Sequence, residues 1–235
     1  EAADAAKARA LAMEFPEDRL ESKIFMGNPG AILTKLSEEA VTLVVGRRAL
    51  SGLERLFVGS TSVGVAATAH CPTIMVSAAT HRPKTGDLNV IGAGVQPGDR
   101  CLRAIKYGLS EAAHRGARLE LLHVFDLPLS FFGDKKNRAD RERDHAAAAT
   151  EAITAAVEPL RQDFPDVPVD IKVVAGHPVD DLTEWSNSLD LLVLEVHGGA
   201  LPGFSPGATI RGVMAHSHCP LALVRKKDKG KKDKS

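Results

Sequence analysis

Groups that together hold phosphate fall close to one another in this sequence: glycines that let a backbone come near a ligand, small hydroxyls, and the opening of a helix. Gly46 follows the apolar run Leu43-Val44-Val45, and Gly59, Ser60 and Thr61 stand where the next helix is expected to begin. A helix start offers unpaired amide donors and the positive end of the macrodipole. That dipole is worth about 0.3–1 kcal/mol per charge at an exposed site, so hydrogen bonds must supply most of any anion affinity. The alternative is structural: Ser60 caps its helix and the glycines turn the chain. Arg47 and Arg48, in the same loop, are within reach of a phosphate in the first reading and solvated in the second.

Other chemical signals are weaker. Gly92-Ala93-Gly94-Val95-Gln96-Pro97-Gly98 has one residue too many before its third glycine for a dinucleotide fingerprint, and it lacks the Lys-Ser/Thr of a P-loop. His216-Ser217-His218-Cys219 carries three metal-capable side chains, but a helix end running into a strand would not converge them on one ion. His123 and Trp185 are read as packing or hydrogen-bonding residues. No nucleophile stands beside a base, so there is no positive case for an enzyme, and no catalytic or metal-binding residue is assigned.

The elements that position these residues occur twice. Gly27-Asn28-Pro29, Leu43 to Gly46 and Ala69-His70-Cys71-Pro72 recur as Gly176-His177-Pro178, Leu192 to Glu195 and Ser217-His218-Cys219-Pro220, at an offset of 149 that falls to 148 at the last landmark. The second copy reads as strands at 88–95, 119–125, 169–174, 191–194 and 221–224. Helices are expected over 99–114, closed by Gly116, over 140–158, and from near Pro178 and Ala208. Strand alternating with helix implies an α/β fold: two repeats of an open parallel sheet with helices on both faces. Ligands of such sheets bind beyond the carboxyl ends of the strands, where the Gly46 loop lies. The first copy has no counterpart of residues 88–149, which leaves three strands without partners and implies a preceding segment in the working protein. Residues 1–80 form the first unit, 87–226 the second and 227–235 a basic, solvated tail, with a linker at 78–86 broken by Pro83 and Gly86.

At these residues the chain resembles the universal stress protein family. Nucleotide-binding members carry Gly, two residues, Gly, nine residues, then Gly followed by Ser or Thr. Gly46, Gly59 and Ser60 match that pattern, and Ala49 replaces its second glycine. The resemblance implies a stress-response or regulatory module, with ATP or another adenine nucleotide as cofactor, held mainly through Gly46, Gly59, Ser60 and Thr61. It also implies pairing of the repeats, or self-association, through the terminal strands at 73–77 and 221–225. In the second copy Glu195 stands at the first glycine position and Ala208 at the serine, while Gly198, Gly207 and Thr209 are retained. Val95-Gln96 aligns with the family's Val-Asp, and Pro97 removes a backbone donor. A carboxylate there would repel a polyphosphate, so the second site is expected to bind ATP poorly or not at all. The alternative function is a nucleotide-independent, dimerising interaction scaffold.

Acidic and basic residues balance at 30 each, which gives no global field for nucleic acid or membrane. Three cysteines, two of them repeat equivalents, fit packed thiols in a reducing cytoplasm better than a disulfide frame. No apolar run approaches the ~20 residues that span a bilayer.

Overall fold

Apolar runs without alternation are what a strand needs when both of its faces are covered. β3 (Val90–Gly94) and β6 (Leu191–Val196) are of this kind and lie in the middle of the sheet. The computed structural model describes residues 2–46, 59–76, 88–126, 135–197 and 207–225. The linker at 78–86, the basic tail and Arg47, Arg48, Ala49 and Gly198 lie outside those residues.

The remaining strands are β1 (Leu43–Gly46), β2 (Thr73–Val76), β4 (Arg118–Phe125), β5 (Val169–Ala175) and β7 (Leu221–Arg225). They form one seven-stranded sheet in the order β1-β2-β7-β6-β3-β4-β5. Every neighbouring pair is parallel except β2 and β7, which run antiparallel with Ile74 opposite Ala222. The final strands of the two copies therefore join within the chain, and Arg225 Nη1 adds a 2.6 Å hydrogen bond to the Ala67 carbonyl.

Helices α1 (Ala2–Ala12), α2 (Pro29–Leu36), α3 (Ser60–Thr68), α4 (Leu102–Arg115), α5 (Lys135–Arg161), α6 (Pro178–Trp185) and α7 (Ala208–His216) connect the strands. Two apolar cores result. One gathers Ile91, Ile105, Leu109, Leu119, Leu121 and Ile153, and the other Leu182, Leu189, Leu192, Met214, Leu221 and Leu223. Both copies build the turn before their last strand alike: the His70 amide donates to Ser37 Oγ at 2.9 Å, and the His218 amide to Ser186 Oγ at 2.8 Å.

Three expectations need correction. The helix expected over 99–114 divides into a 3-10 turn, Asp99–Cys101, and α4, which ends at Gly116 in the left-handed conformation (φ 60°). α5 starts at Lys135, five residues before the expected 140, because the alanine-rich pattern hid the charged turns ahead of it. Among the described residues, two strands form in the first copy. The counterpart of β5, residues 20–26, has no strand pairing, since nothing like β4 lies beside it. The outer edge of β1 is open among the described residues, and Val44 is 60% exposed where its counterpart Val193 is 0% exposed.

Candidate functional site

The end of β1 meets the start of α3. Ser62 Oγ donates to the Gly46 carbonyl at 3.3 Å, which ties the two glycine-bearing segments together. Gly59 is the N-cap of α3 (φ −57°, ψ 140°) and supplies no side-chain cap. The amides of Ser60, Thr61 and Ser62 come before the first intrahelical bond, Val63 N to Gly59 O, so they have no acceptor within the helix. The Ser60 side chain lies outside the described residues. Thr61 lines a groove between α2 and α3, together with Asn28, Thr34, Gly64 and Thr68. The structure thus brings Gly46, Gly59 and the opening amides of α3 together, with Thr61 on the α2 side.

The glycines differ in what holds them as glycine. A Cβ on Gly92 would come within 2.3 Å of Leu189, and one on Gly212 within 2.5 Å of Val179. Those two are fixed by packing. At Gly46 and Gly59 an added Cβ would meet nothing within 4 Å among the described residues, and neither has a positive φ. Among the described residues, neither neighbours nor backbone conformation require glycine at these two positions.

In the second copy the corresponding region is a cavity of about 270 Å³, between the sheet and helices α6 and α7. Leu194, Glu195, Gly207, Ala208, Thr209 and Ile210 line it, and they are the repeat counterparts of Val45, Gly46 and residues 59–62. Further walls come from Gly94 at the end of β3, from Val95 and Gln96 after it, and from Leu122 and Val124 on β4. Among the described residues of the first copy, none corresponds to β3 or β4.

Glu195, the carboxylate at the glycine position, lines this cavity and is paired. Its side chain is 1% exposed and closes the start of α4: Oε2 accepts from the amides of Arg103 (3.0 Å) and Ala104 (3.3 Å), and Oε1 from Arg103 Nη1 (2.7 Å). An internal anion occupies the helix terminus. Arg103 was missed by sequence reading, although a carboxylate at a glycine position asks for a cation and Arg103 opens the helix after the neighbouring strand. Ser62 was passed over as the third hydroxyl of Ser60-Thr61-Ser62, and spacing alone does not show that it turns back to the strand. Cys101 also lines the cavity; burial pushes its thiol up to about 11, against the 3.1 Å hydrogen bond donated by the Gln96 amide.

His123 and Trp185 pack and hydrogen-bond as expected. His123 Nδ1 lies 3.0 Å from the Val95 carbonyl, and its ring stacks near Phe125 and His145. Trp185 Nε1 donates to Glu120 Oε2 at 3.1 Å, which also accepts from Lys172 at 2.8 Å, while Arg118 holds Oε1. Burial raises the Glu120 carboxyl, but these donors outweigh it and hold the group below the usual carboxylate range.

The model of the Universal stress protein family matches two segments, residues 1–77 and 88–225. The chain belongs to the universal stress protein family. Among relatives of this family, it is 26% identical to Universal stress protein Rv2005c of Mycobacterium tuberculosis over 219 residues, covering 88% of this chain and 69% of that one. A solved universal stress protein from Archaeoglobus fulgidus superposes with a TM-score of 0.60 at 17% identity, over 96% of this chain and 79% of that one. Another solved structure, of a universal stress protein from Archaeoglobus fulgidus in complex with dAMP, matches with a TM-score of 0.40 at 17% identity, over 57% of this chain and 94% of that one. Among the described residues of this universal stress protein, no helix is long and apolar enough to cross a membrane.

Proposed function

We propose that this universal stress protein is a stress-response module that binds an adenine nucleotide, ATP in the first instance, through its first repeat. Gly46 gives the ribose or phosphates a close approach to the backbone. The amides of Gly59, Ser60 and Thr61, with the Ser60 hydroxyl, hold phosphate at the start of α3. The observation that carries this reading is the meeting of the β1 end with the start of α3, whose opening amides have no acceptor within the helix. The hydrogen bond from Ser62 to Gly46 supports it by fixing the strand end against the helix start.

Gly59→Asp tests the reading without confusing binding with folding. Aspartate is a better N-cap than glycine by a few tenths of a kcal/mol, because its carboxylate accepts from first-turn amides. The same carboxylate would fill the anion position. Calorimetric titration of ATP should show at least a tenfold loss in Gly59→Asp with an unchanged or higher melting temperature, and a several-fold loss in Ser60→Ala. Unchanged ATP affinity in Gly59→Asp would overturn the assignment. No binding at millimolar nucleotide would favour the interaction scaffold, for which the β2–β7 seam is the structural support.

A further inference from the structure

Helix α5 is anchored unevenly. Its buried residues Ala149, Ile153 and Val157 all lie in its second half, whereas the side chains from Arg138 to Asp144 are exposed or half-buried. Where the two halves meet, His145 lies against β4. Its ring centroid is 4.2 Å from that of Phe125 and 6.2 Å from that of His123. His123 is buried, and its Nδ1–H donates to the Val95 carbonyl at 3.0 Å. We propose that this ring cluster is a proton-operated catch, through which acidification releases the first half of α5 from the sheet while the second half stays docked.

Burial and like charge drive the release. With Nδ1 donating to Val95, a further proton can add only at Nε2, and it would charge a ring with little access to water. A charged His145 would then oppose it from 6.2 Å away. Burial, and the charge of His145 after it, push the His123 imidazole down, against the Val95 carbonyl. Among the described residues nothing acidic offsets this. β5 sets Val173 opposite His123, the end of β3 presents the Val95 carbonyl, and α5 presents His145. Asp126, at the end of β4, is exposed, and Arg141, Glu142 and Asp144, which precede His145 on α5, are exposed or half-buried. Once the first half of α5 lifts, both rings meet water and each can be charged. Protons therefore bind the released form more tightly, so release grows as the pH falls below ~6.5 and is independent of pH above it. This inference does not rest on nucleotide binding by the first repeat.

Hydrogen exchange of the full chain, read by mass spectrometry at pH 7.5 and 5.5 and corrected for the intrinsic effect of pH, follows the two halves separately. Protection over 135–148 should fall about fivefold to tenfold at the lower pH, as uptake of one proton allows, while protection over 149–161 should change less than about twofold. His123→Gln keeps a donor for the Val95 carbonyl and should remove most of the pH effect; His145→Gln should reduce it. Should His123→Gln disturb folding, the parent alone decides: NMR contacts between the Phe125 and His145 rings should fade over the pH interval in which the His123 ring signals shift. The proposal is overturned if 135–148 is unprotected at pH 7.5, if its protection is equal at both pH values, or if both halves lose protection alike. Persistence of the effect in His123→Gln, or ring contacts that outlast the His123 titration, would overturn it as well.

Discussion

Replacing Glu195 with alanine would leave the start of α4 without its acceptor, and the structure allows the cost to be worked out. The Ala104 amide is buried and would lose its partner outright, at about 1–3 kcal/mol for an unsatisfied donor. The Arg103 amide belongs to an exposed residue and can turn to water, so it contributes less. Arg103 is itself about half exposed, which limits the ion pair to about 1 kcal/mol or below. Glu195→Ala should therefore cost about 3 kcal/mol, and Glu195→Gln, which keeps an acceptor oxygen, about 1. Arg103→Ala should cost less than about 1. Urea unfolding followed through Trp185 emission measures all three. With a slope of about 1–3 kcal/mol per molar urea, the alanine variant should lose at least about 1 M in its midpoint. The reasoning fails if Glu195→Ala stays within about 1 kcal/mol of the parent, or if Arg103→Ala is as damaging as Glu195→Ala.

Glu120 is held below the usual carboxylate range, so its contribution to stability is present above about pH 4.5 and lost as the pH falls through the folded-state value. Thermal melts from pH 6 to pH 3 should show a melting temperature that falls on acidification, with a shallower fall in Glu120→Gln. His123 is pushed down by burial, with His145 adding to the effect against the Val95 carbonyl, so the unfolded chain takes up this proton first. Stability should decline as the pH drops below about 6.5, and His123→Gln should flatten that slope in the same melts. Gly92→Ala would drive a Cβ into Leu189 and Trp185, so it should destabilise by about 1–3 kcal/mol and shift tryptophan emission. Gly46→Ala meets no such neighbour among the described residues; it should leave the unfolding free energy within about 0.5 kcal/mol of the parent while weakening ATP, as read by calorimetry.

The order of elements was legible because its signals are local. Apolar runs such as 191–194 and the Gly116 stop each declare themselves within a few residues, and both appear in place. The pairing of 73–77 with 221–225 came from the resemblance to universal stress proteins, and the structure shows it at 73–75 and 221–223. The missing β-structure at 20–26 was not legible, since those residues share the pattern of β5 and lack only a neighbour, which no local pattern can report. The glycines of the candidate site were visible as residue types, but what surrounds each one was not. Gly92 and Gly46 look alike in sequence and differ completely in space. Glu195 is the sharpest case. Its identity suggested a charge facing a ligand, whereas its role depends on amides 92 and 91 residues away that fold over it.

The reversal of direction between β2 and β7 has a geometric corollary. Strands β1 and β2 finish on one rim of the sheet, while β6 and β7 finish on the opposite rim. The two mouths consequently look away from each other, and no small molecule can bridge them. The two copies meet along a seam three residue pairs wide, braced by the Arg225–Ala67 bond, and through Ala66 and Met75, which pack into the second core. A macromolecule that senses both occupancies at once would have to reach around the whole width of the sheet.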